Sequence, residues 1–159
     1  MNLVVIDKSF AETANLSLPS MMDYRQHIIN GSMLNTPPVF AIYVCLLTLR
    51  WLKKQGGIAA IEKYNKQKSD LLYNTLEHLP LFHLPVPKED RSHMNAVFTM
   101  HDPILESLFS AKCKEEGMVG VKGHRSVGGF RVSMYNALSL DSVVAFTQLA
   151  TEFSNQHAS

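Results

Sequence analysis

Residues Lys122–Ala137 read KGHRSVGGFRVSMYNA and gather one lysine, one histidine and two arginines around a pair of adjacent glycines. An arginine presents a planar fork of donors that matches phosphate or carboxylate oxygens in pairs. A histidine next to it can donate to the same anion, and glycines let backbone approach a ligand through turns that other residues resist. His124 and Arg125 are neighbours, and Arg131 follows inside a stretch with strand character. Two separate arginine sites suit a ligand with two anionic ends. The same residues also suit a basic hairpin whose arginines pair with nearby acids, and the residue types alone leave these two readings even. The segment is not a Walker loop, which needs Gly-Lys-Ser/Thr.

A second stretch, Asn35–Pro38, reads NTPP. Thr36 can cap a helix through its hydroxyl, with Pro37 at the first helical position. A helix start offers unpaired N–H groups and the positive end of the dipole, a ready phosphate site, to which Asn35 and Thr36 would add donors. Taken alone, a well-capped helix without a ligand is the better reading. His27, His78, His83, His93, His101 and His157 show no metal-ligand spacing, so no metal site is expected. No Ser-His-Asp or Cys-His arrangement follows from residue order.

These groups need a scaffold, and the pattern supplies one. The four-residue run LVVI (3–6) reads as a strand buried on both faces with nothing before it to pair with, so the chain is expected to begin in the middle of a fold. Residues 7–32 read as mostly loop. A helix is predicted from Pro37 to about Gln55, stopped by Gly56-Gly57 and apolar nearly all round, hence buried on several sides or in a subunit interface. A second helix spans Ile58 to about Leu79, with Ile58, Ile61, Tyr64, Leu71, Leu72, Thr75 and Leu76 at helical spacing on its apolar face and EKYNKQKSD as solvated charge. Pro80, Pro85 and Pro87 then break the chain. Beyond them the spacing predicts a strand at 94–100, a helix at 103–117 capped by Asp102, short strands at 118–121 and 128–135, and a helix at 139–157 with its cap at Ser139 or Asp141. The fold class is therefore α/β, with an α+β layer of short antiparallel sheet and helices on one face at the C-terminal end. Two pieces are expected, 1–79 and 80–159.

Composition narrows the function classes. The chain has 159 residues, 46% of them apolar, and a formal charge of +1, which gives no broad attraction to nucleic acid or anionic membranes. Cys45 and Cys113 form no paired motif, so a reduced, buried thiol at Cys45 and a cytoplasmic location are expected. The longest apolar run, Val39–Leu52, contains Arg50 and falls short of the roughly 20 residues a membrane helix needs.

SMLNTPPVFAIY followed at distance by KGHRSVGGFRVSMYNA resembles the phosphoserine aminotransferases, pyridoxal-phosphate enzymes with the aspartate-aminotransferase fold. The likeness extends over essentially the whole chain, including LPSMMDYRQH and WLKKQGGIAAIEKYNKQKSDLLY. It implies that His124 and Arg125 hold a substrate phosphate and Arg131 its carboxylate. It also implies that Asn35 and Thr36 reach across a homodimer interface to the phosphate of pyridoxal 5'-phosphate. The implied reaction moves an amino group from glutamate to 3-phosphohydroxypyruvate, giving phosphoserine and 2-oxoglutarate, a step of serine biosynthesis. The cofactor-anchoring lysine of the family would lie just before LVVI, so no catalytic residue is expected here. The resemblance thus points to a C-terminal part, remnant large domain over 1–79 and small domain over 80–159, inactive by itself. A phosphate-ligand binding or dimerisation module without chemistry is the alternative.

Overall fold

The computed structural model describes residues 1–13, 17–124 and 128–157. It divides into two compact units, Met1–Lys54 and Gln55–Ser159. The helix α4 (Gly57–Glu77), expected with the first piece, belongs to the second.

In the first unit, the LVVI run forms no strand, and Leu3 and Val5 are exposed. A strand exists only through hydrogen bonds to another strand, and among the described residues none pairs with it. Residues expected as loop instead carry two short helices, α1 (Lys8–Glu12) and α2 (Tyr24–Ile29). Each starts at an aspartate cap: Asp7 accepts from the Phe10 amide at 3.1 Å and Asp23 from the Arg25 amide at 3.0 Å. The Arg25 guanidinium also forks onto Asp23 at 2.8 and 2.7 Å, which holds that carboxyl below its ordinary range. Helix α3 spans Val39–Lys54. Thr36 does not cap it. Pro38 disfavours helical geometry at Pro37, so the first turn closes later, with the Ile42 amide donating to the Pro38 carbonyl at 3.0 Å. None of the α3 side chains is buried, and Phe40 is 80% exposed. No described helix is long and apolar enough to cross a membrane.

The second unit is built on a three-stranded antiparallel sheet in the order β1 (Phe82–His83), β2 (Asn95–Met100), β3 (Phe130–Ser133). Helices α4 (Gly57–Glu77), α5 (Pro103–Glu115) and α6 (Leu140–His157) complete it. Local signals set the helix ends: Asp102 accepts from the Ile104 amide at 2.8 Å with Pro103 behind it, and Ser139 accepts from the Ser142 amide at 3.2 Å. The MVGV segment is not a strand. It contributes only the approach to a single bridge, Lys122 to Phe130.

Alternation along the strands decides which sheet face is covered. Ala96, Phe98 and Met100 of β2 and Phe130 and Val132 of β3 are buried, while Arg131 is exposed between them. The covered face carries a phenylalanine cluster. Phe109 of α5 meets Phe82, Phe130 and Phe153 with ring centroids 5.1, 5.3 and 5.0 Å apart, and Phe98 stacks on Phe130 at 5.1 Å. Edge-on and offset pairs of this kind add to simple area burial. The opposite face is left for Arg131, paired in register with Val97.

Candidate functional site

The basic segment folds back on itself. The Arg131 amide donates to the Val121 carbonyl at 2.8 Å, Gly123 to Gly129 at 2.8 Å, and Gly128 to His124 at 2.9 Å. The glycines are needed for this closure. A side-chain carbon on Gly123 would lie 2.0 Å from the Gly128 carbonyl oxygen. Gly129 sits at φ +62°, and a carbon there would lie 2.7 Å from the Phe98 oxygen. Gly123 and Gly129 are thus explained by the approach of the hairpin to itself and to β2, and Gly128 by its φ of +77°, before any ligand is considered.

His124 and Arg131 are brought to one hairpin, both exposed. Arg125, the third expected anion ligand, lies outside the described residues. Arg131 projects from a hydrogen-bonded strand, so its direction is set by the pleat. Among the described residues, none of the ion pairs involves Arg131 or Lys122. The acids pair elsewhere: Glu77 with Arg91 and Lys88, Asp70 with Lys66, Glu115 and Glu116 with Lys112. A hairpin whose arginine neutralises local carboxylates is therefore not what Arg131 shows.

Asn35 and Thr36 belong to the first unit and are both exposed. Among the described residues, the Asn35 amide reaches only the Thr36 carbonyl, at 3.5 Å. An amide and a hydroxyl lie exposed just ahead of a 16-residue helix, a donor set that suits a phosphate group.

Behind β3 runs a polar seam that the sequence reading missed. Lys68 was expected on a solvated face, yet it is fully buried, as is Ser69, and Asn65 is nearly so. The Lys68 ammonium donates to the carbonyls of Met134, Tyr135 and Leu138 at 3.1, 2.8 and 3.1 Å. It also lies 4.9 Å from the centre of the Tyr64 ring. Burial pushes its pKa down. Asn65 donates to Asn136 at 2.8 Å, and the Tyr64 hydroxyl accepts from the Leu140 amide at 2.7 Å. A signal was present: Ile61, Asn65, Lys68, Leu72 and Leu76 fall on one helical face, so Lys68 interrupts the apolar stripe itself.

Cys113 is buried and Cys45 half-buried, both as free thiols. Burial pushes the Cys113 thiol up to about 11. The described residues hold no cluster of metal-ligating groups.

The family model for aminotransferase class-V matches residues 10–146. The chain is 49% identical over 141 residues to a phosphoserine aminotransferase of Flavobacterium johnsoniae, covering 89% of this chain and 40% of the relative. It is 46% identical over 159 residues to one of Azobacteroides pseudotrichonymphae, covering 99% of this chain and 44% of the relative. Among solved structures, the phosphoserine aminotransferase of Bacillus circulans subsp. alkalophilus is 34% identical with a TM-score of 0.88, covering 94% of this chain and 42% of that one. A PLP-bound phosphoserine aminotransferase from Trichomonas vaginalis is 36% identical with a TM-score of 0.78, covering 86% of this chain and 39% of that one. The chain belongs to the class-V aminotransferases. Within that family its likeness is to the phosphoserine aminotransferases, and it spans about two fifths of their length.

Proposed function

We propose that the chain is the C-terminal part of a phosphoserine aminotransferase and supplies that enzyme's substrate recognition. The complete protein would transfer the amino group of glutamate to 3-phosphohydroxypyruvate, yielding phosphoserine and 2-oxoglutarate. The observation that carries this reading is the glycine-closed hairpin, which presents Arg131 on the open sheet face without a carboxylate partner among the described residues. Arg131 would fork onto the substrate carboxylate. His124 and Arg125 would hold the phosphate. Two anionic ends, held by two arginine sites, orient the substrate and discriminate against ligands lacking either group.

Pyridoxal phosphate, when bound in the complete enzyme, supplies the electron sink for amino transfer. The exposed donors of Asn35 and Thr36 would hold its phosphate across a dimer interface. The largely exposed apolar surface of α3 beside them supports an interface role, because large exposed apolar surfaces mark association sites. The two free thiols support a cytoplasmic parent.

The resemblance matches no lysine of this chain to the cofactor-anchoring one, and Lys68, the one buried lysine among the described residues, spends all three donors on backbone carbonyls. The chain alone is therefore expected to be inactive. To test this, the purified chain would be incubated with pyridoxal phosphate, reduced with borohydride and mapped by mass spectrometry. The expected result is no stoichiometric adduct at a single lysine; one such adduct would overturn the assignment.

The recognition roles separate in the complete enzyme. Arg131→Ala should raise KM for both phosphoserine and glutamate, whereas Arg125→Ala should raise it for phosphoserine alone. Loss of a charge-assisted hydrogen bond costs on the order of 1.5–3 kcal/mol, so each effect should be about tenfold or more. Equal loss on both substrates in Arg125→Ala would remove the phosphate assignment.

A further inference from the structure

Arg131 can recognise a carboxylate only if the end of its strand is held still, and the structure shows what holds it. Met134 lies three residues beyond Arg131. Its amide donates to the Met94 carbonyl at 2.7 Å, and its own carbonyl accepts from Lys68 at 3.1 Å. The next turn is gripped by the same ammonium through Tyr135 and Leu138. Three carbonyl oxygens converge on one point. Like partial charges brought together in this way repel unless a cation sits among them, so the shape of the 134–138 turn depends on Lys68.

We propose that Lys68 is a positioning residue for carboxylate recognition: its buried ammonium fixes the turn after β3 and, through it, the direction of Arg131. This rests on the reading of Arg131 as the carboxylate ligand. Burying a lysine is costly, and an apolar side chain of similar length would fill the same space without that cost. The three matched donors give the lysine a task that a merely filling residue would not have. Asn65 and Tyr64, from the same face of α4, bind Asn136 and the Leu140 amide and extend the grip along the turn.

The test uses the complete enzyme carrying Lys68→Met, with inorganic phosphate as a competitive inhibitor to report on the phosphate site. Positioning predicts that KM for glutamate and for phosphoserine both rise about tenfold, while the phosphate inhibition constant moves by less than about twofold. A lysine that only stabilises the fold would lower the melting temperature and the active fraction, reducing kcat and leaving KM unchanged, which would overturn the proposal. Asn136→Ala loosens the same turn without disturbing a buried charge. It should raise both KM values roughly threefold, and it decides the matter if Lys68→Met does not fold. Arg131→Ala runs alongside. If it raises KM and neither folded turn variant does, the role of Lys68 is refuted and that of Arg131 stands. If Arg131→Ala itself leaves KM unchanged, the carboxylate assignment fails and takes the inference with it.

Discussion

The closure of the 121–131 hairpin can be broken with one methyl group. In Gly123→Ala the new carbon would start 2.0 Å from the Gly128 oxygen and 2.8 Å from the Gly129 oxygen, against an ordinary contact of 3.4–4 Å. Both obstacles are backbone, so no side-chain rotation relieves them and the two arms must part by more than about 1 Å. That displacement breaks the Gly123–Gly129 and His124–Gly128 hydrogen bonds, now 2.8 and 2.9 Å. At about 1 kcal/mol net each, the loss is about 2 kcal/mol, equivalent to a melting-point drop of about 4–8 °C for a chain of this size. Gly128→Ala is the matched control. Its added carbon meets nothing within 4 Å, and only the φ of +77° opposes it, at a cost of about 1 kcal/mol. Thermal melts of the three chains followed by far-ultraviolet circular dichroism provide the comparison. If Gly123→Ala melts no lower than Gly128→Ala, contact between the hairpin arms is not what requires glycine at 123, and the account of the segment is wrong.

Two further outcomes follow from the core. Phe109 is fully buried among Phe82, Phe130, Phe146 and Phe153, so Phe109→Ala should destabilise the chain by about 3–5 kcal/mol in urea titration; a loss below about 1 kcal/mol would deny it a central place. Cys113 ionises near 9.0 when unfolded and near 11 when folded. The folded state therefore holds its proton longer, and the associated stability, complete below pH 9, is lost as pH rises through about 11. The loss should approach about 3 kcal/mol, and Cys113→Ala should show a shallower alkaline decline between pH 8 and 11; identical slopes would contradict the burial argument.

What could be read from the sequence was what neighbouring residues decide. Asp102-Pro103 and Ser139 start helices by local hydrogen bonding, and Gly56-Gly57 ends one. The strand character of 128–135, with Arg131 inside it, was also local; which face Arg131 takes was decided by the packing that buries Phe130 and Val132. The aspartate caps at Asp7 and Asp23 were equally local, but the helices that follow run only five and six residues, too short to show a clear period.

The remaining features required distant partners. LVVI has the composition of a strand, but composition supplies no hydrogen-bonding neighbour. β1, at two residues, exists only because Phe82 and His83 lie opposite Met100 and Thr99. Lys68 looked like one more solvated charge in a polar stretch. Its burial was decided by three carbonyls 66 to 70 residues away, because an ammonium can leave water only where the fold brings it a full set of acceptors. The basic residue types and their order were thus written in the chain, while the rigidity that would make them selective for the proposed ligand came from contacts that only folding assembles.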